Sequence, residues 1–87
     1  MNYIFLKEYI NKITKDKLKD ISLKYNIFLN NNELNILYTY IKEKYLDFIK
    51  NPDTIIEEIK PQITQENYIK LLYIFNQYKD KIRAYFP

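Results

Sequence analysis

The sequence predicts an all-α fold, a compact bundle of about five helices, and three observations carry that reading. A capping residue flanked by an apolar staple recurs at Ile13-Thr14 with Leu18, at Leu29-Asn30 with Leu34, and at Ile63-Thr64 with Tyr68, each time with the apolar pair at the N′ and N4 positions. Downstream of the caps, apolar residues recur at three- and four-residue spacing. The connections are short and built from Asn and Pro, because the chain has no Gly.

The first helix is expected at about residues 2–12, ahead of the Thr14 cap, and the second at 15–25 behind it. The third, at 31–50, starts from Asn30, and Glu33 at N3 completes a capping box. Leu34, Leu37, Tyr38, Ile41, Tyr45 and Phe48 give it one apolar stripe, with Ile36, Tyr40 and Ile49 lying off that stripe. A fourth helix is expected at 52–59: Asn51 caps, Pro52 takes the favoured N1 place and Asp53 puts an acid in the first turn. It is short because Pro61 biases Lys60 away from the helical region. The fifth, at 65–85, is apolar on nearly every side from Tyr68 to Phe75, which predicts burial. The two long helices are therefore expected at the centre with three short ones across them. No linker interrupts residues 1–87, so a single helical domain is expected. The echo of Ile13-Thr14-Lys15-Asp16 in Ile63-Thr64-Gln65-Glu66 is explained by shared capping chemistry.

Composition excludes more than it proposes. Without Gly there is no phosphate-binding loop, dinucleotide fingerprint or nucleophile elbow. Without Cys or His there is no thiolate chemistry, no usual zinc ligand and no neutral-pH proton shuttle. Ser22 is the only serine and has no His to activate it. Glu57 and Glu58 are neighbours on a helix, point about 100° apart and do not share a site. No Asp-rich loop offers oxygen ligands to a metal. The expectation is a protein with no catalytic residues, no cofactor, no metal and no small-molecule substrate. No apolar run approaches the roughly 20 residues of a membrane span, and no signal pattern opens the chain, so a cytoplasmic protein without membrane association is expected. The excess of Ile, Lys, Asn, Tyr and Phe over Gly, Val, Ala and Arg points to an AT-rich genome.

The formal net charge of +3 is unevenly spread, with basic ends and an acidic middle. Lys12, Lys15, Lys17, Lys19 and Lys24 cluster most densely, but Asp16 and Asp20 lie among them and Arg83 is the only arginine. Solvated surface is the simpler reading, with a nucleic-acid face on these five lysines as the alternative. A helix-turn-helix reading of the second and third helices would point Asn31, Asn32, Glu33 and Asn35 at bases. Tyr38, Tyr40, Lys42, Lys44 and Tyr45 also suggest a single-strand platform, although their spacing spreads them around the helix.

Ten Tyr and five Phe bring the apolar fraction to 47%, more than so small a core encloses. Some apolar side chains must be exposed, and Tyr suits that role because its ring packs on a partner while its hydroxyl stays hydrated. The candidate partner interface is Tyr3, Tyr9, Tyr40, Tyr73, Tyr78, Tyr85 and Phe86.

The run from Tyr9 to Leu18, Lys24-Tyr25-Asn26-Ile27, Glu33, and Leu72-Tyr73-Ile74-Phe75-Asn76-Gln77-Tyr78 together resemble the YqfT-like family of short uncharacterised proteins of low-GC Gram-positive bacteria. The resemblance implies an all-helical cytoplasmic bacterial protein and brings no activity or site residues. The expected function is a non-enzymatic helical protein-protein interaction module, an adaptor, regulator or small inhibitor that binds a protein partner or forms a homo-oligomer. The alternative is a nucleic-acid-binding helical domain.

Overall fold

The computed structural model describes the backbone of residues 3–85 and the side chains of residues 4–77. Five α-helices follow in order: α1 (Tyr3–Lys12), α2 (Lys15–Lys24), α3 (Asn31–Lys50), α4 (Pro52–Ile59) and α5 (Gln65–Tyr85), with a 3-10 turn at Lys60–Gln62 before α5. Among the described residues there is no strand, so the fold is the all-α one that the caps and periodicity predict. The helices gather into two units, Met1–Lys44 and Tyr45–Pro87.

In the first unit each predicted boundary device is present. The Thr14 hydroxyl accepts a hydrogen bond from the Lys17 backbone N–H at 3.1 Å, and its staple partners Ile13 and Leu18 are both buried. At the end of α2, Asn26 takes φ 60°, its N–H bonds the Leu23 carbonyl at 3.0 Å, and the Ile27 N–H bonds the Ser22 carbonyl at 2.9 Å. This is a Schellman closure in which Asn supplies the left-handed residue that Gly usually provides. It turns the chain so that Ile27 becomes the most buried apolar side chain described, 2% exposed. At the start of α3 the capping box closes both ways: the Glu33 N–H donates to Asn30 Oδ1 at 2.7 Å and the Asn30 N–H to Glu33 Oε1 at 3.1 Å.

A contact distant in sequence ties α3 to α1. The Lys42 ammonium donates to the Ile10 carbonyl at 2.7 Å and the Asn11 carbonyl at 2.9 Å, two of the last carbonyls of α1, the first of which also accepts from the Ile13 N–H at 3.2 Å. A cation there also meets the negative end of the α1 dipole. The core of this unit is Ile10, Ile13, Leu18, Ile27 and Leu37, so the short helices and their connections supply most of it and α3 supplies one apolar residue.

α3 has the expected bounds but is kinked within them. Lys44 sits at φ −123°, ψ 20°, outside helical geometry, and the two units meet in sequence at this residue. Neither Pro nor Gly, the usual causes of a kink, is nearby.

In the second unit Pro52 occupies N1 of α4 and is buried, but the Asn51 side chain makes no capping bond. Its backbone N–H instead closes the end of α3 on the Asp47 carbonyl at 2.8 Å. Lys60 stays in the right-handed helical region (φ −46°, ψ −50°) rather than leaving it. The bias from Pro61 is absorbed by tightening to a 3-10 turn, and Gln62 Nε2 donates to the Glu58 carbonyl at 2.9 Å. Thr64 caps α5 as predicted, its hydroxyl accepting from the Asn67 N–H at 3.3 Å. Ile55 and Ile59, one turn apart, form the buried side of α4. Phe75 is buried in the same unit and meets Phe48 edge to face at 5.8 Å and 67°.

The burial expected of the Tyr68–Phe75 start of α5 fails at Ile69 and Tyr73, which lie in solvent. Within its own unit α5 packs on the eight-residue α4, too short an element to cover more than one side of it.

Candidate functional site

The surplus of apolar residues resolves into exposed helix faces. On α1, Ile4 is 65%, Phe5 70% and Tyr9 54% exposed, while Ile10 is buried. Phe5 and Tyr9 are four apart and Lys12 three further on, so the three line one face with Glu8 between them. On α5, Ile69 is 58% and Tyr73 65% exposed, again four apart on one face. Leu23, Tyr25, Phe28 and Leu46 are also exposed.

Of the residues named from the sequence, Tyr9 and Tyr73 are on these faces. Tyr40 is half-buried, with the Lys44 ammonium 5.3 Å from its ring centre. The side chains of Tyr3, Tyr78 and Tyr85, and the whole of Phe86, lie outside the described residues. Tyr9 is in the first unit and Tyr73 in the second. The sequence reading missed Ile4, Phe5, Phe28 and Ile69. The available signal for Phe5 and Ile69 was the helical spacing that pairs Phe5 with Tyr9 and Ile69 with Tyr73.

The lysines do not form one stripe. At about 100° per residue, Lys15 and Lys19 fall on one flank of the buried Leu18 and Ser22 line of α2, Lys17 and Lys24 fall on the other, and Asp16 and Asp20 lie on the outer side. All four lysines are exposed, as is Lys12 at the end of α1. Lys15 reaches the Tyr38 ring at 5.5 Å, and Lys42 lies 5.4 Å from the same ring centre. Asn31, Asn32 and Asn35 are exposed, while Glu33 is buried in the capping box and unavailable to a base edge.

The Ser22 hydroxyl is buried and donates to the Leu18 carbonyl at 2.9 Å. Glu57 and Glu58 stand exposed on α4. Among the described residues no three His, Cys, Asp or Glu side chains gather to hold a metal ion, and no helix is long and apolar enough to cross a membrane.

Fold and surface together define a small all-α protein whose distinguishing feature is apolar side chains displayed on helix faces. Compared with models of protein families, with curated proteins and with solved structures, the chain matches none.

Proposed function

We infer that the protein is a non-enzymatic helical module that works by binding protein, either a separate partner or another copy of itself. The observation that carries this reading is the α1 face on which the side chain of Phe5, with no polar atom to hydrate, stands with Tyr9 in solvent, while Ile4 is exposed on the adjoining side of the helix. Large apolar groups gathered on one face mark interaction surfaces, and aromatic residues are enriched where partners dock. The divided lysines of α2 and the internal role of Glu33 give nucleic-acid binding less support.

The test is light scattering over a concentration series together with affinity capture, on the wild type and on a Phe5→Ser/Tyr9→Ser double variant. Association or capture by the wild type that is lost in an equally helical double variant supports the reading. A wild type that stays monomeric and retains no protein overturns it.

A further inference from the structure

The two exposed faces match each other. On α1 the face reads Phe5, Glu8, Tyr9, Lys12, and on α5 read backwards it is Tyr73, Lys70, Ile69, Glu66. The spacings are the same, three, one and three residues, and the charges are opposite at both charged positions. Each set of four spans about two turns on one side of its helix. The apolar members are all more than half exposed, and Glu66 and Lys70 already pair at 3.4 Å along the α5 face, with the Glu66 side chain 79% exposed.

Building on the protein-binding reading, we propose that the occupant of the α1 face is the α5 face of a second copy of this chain, packed antiparallel. The register sets Phe5 on Tyr73 and Tyr9 on Ile69, with Glu8 against Lys70 and Lys12 against Glu66. A parallel arrangement that kept apolar pairs, Phe5 on Ile69 and Tyr9 on Tyr73, would set Glu8 against Leu72 and Lys12 against Asn76 and lose both ion pairs. A slip of one turn in the antiparallel arrangement would set Phe5 on Ile69 but Tyr9 on Gln65, and so lose an apolar pair.

The contact is heterologous, since α1 meets α5. It closes into a two-fold dimer when both copies exchange faces, which doubles the contact, and otherwise adds copies end to end. Four residues a side fall well short of the roughly 20 to 30 of a standard stable interface, so even the doubled contact predicts weak, concentration-dependent association.

The charge pattern gives a test specific to this pairing. Glu8→Lys leaves each chain with Lys at both positions 8 and 70, and Lys70→Glu leaves Glu at both, so each variant repels itself. An equimolar mixture restores an opposite pair at both contacts. Sedimentation velocity over a concentration series is expected to show self-association of the wild type, association weakened by about tenfold for each variant alone, and recovery in the mixture. Circular dichroism checks that each variant keeps its helices. If one does not, Lys12→Glu mixed with Glu66→Lys asks the same question at the other pair. Wild-type association that neither reversal weakens overturns the pairing while leaving the protein-binding reading standing. A wild type monomeric at every concentration also overturns it, and affinity capture then judges the broader reading separately.

Discussion

Replacing Lys42 by Met removes the ammonium that ties α3 to α1 while keeping an unbranched apolar stem of similar length. The loss has three parts. Two charge-assisted hydrogen bonds, to the Ile10 and Asn11 carbonyls, disappear. Each is worth about 1.5 kcal/mol at the low end for charged donors, and the one to Asn11 is solvent-exposed, so together they come to about 2 kcal/mol. The favourable charge at the α1 C-terminus and the contact with the Tyr38 ring, 5.4 Å away, each add about 0.5 kcal/mol. A water molecule can replace part of the lost bonding at this half-buried site, which brings the expected net loss to about 2 kcal/mol. Urea denaturation followed by circular dichroism reads it directly: at a slope of about 1 kcal/mol per molar urea, the midpoint falls by about 2 M with little change in slope. Lys42→Arg, which keeps charge and donors, is expected to lose less than half as much. A Lys42→Met midpoint within about 0.3 M of the wild type would refute the anchoring role.

Other substitutions test the remaining supports. Asn30→Ala and Glu33→Ala are each expected to cost about 1 kcal/mol, and the double variant less than the sum because both remove the same reciprocal bonds, as a double-mutant cycle in urea would measure. Phe75→Ala empties a buried site and removes the edge-to-face contact with Phe48, so it is expected to cost about 3 kcal/mol and to lower the thermal midpoint by roughly 10 °C or more. Asn26→Ala is expected to destabilise by about 1 kcal/mol because φ 60° suits a Cβ-bearing residue poorly, whereas Asn26→Gly should stay close to the wild type in the same assay.

What could be read from the sequence was local. Thr14, Asn30, Glu33 and Thr64 announce helix starts because their bonds reach only three residues along the chain. Short Asn-containing connections likewise anticipated the turn at Asn26. The Lys42 anchor joins residues 32 apart, and no periodicity distinguishes that lysine from its neighbours. The break at Lys44 has no Pro or Gly to mark it. The exposed site was legible only in part. An apolar surplus implied exposure, but the choice of Phe5 and Ile69 over other apolar residues depends on how few elements each unit has to cover them. The all-round apolar start of α5 misled for that reason, because hydrophobicity on every side leads to burial only where partners are present on every side.

On the proposed function, the exposed apolar faces are where this protein binds. Two-dimensional NMR of a chain labelled at Ile, Phe and Tyr, recorded across a dilution series and with any captured partner added, tests it most directly. Binding through these faces is expected to give concentration- or partner-dependent shifts at Ile4, Phe5 and Tyr9, and under self-association also at Ile69 and Tyr73, while Ile27 and Phe75 stay fixed. Spectra that do not change under either condition, or that change at the buried residues and not at α1, would contradict it.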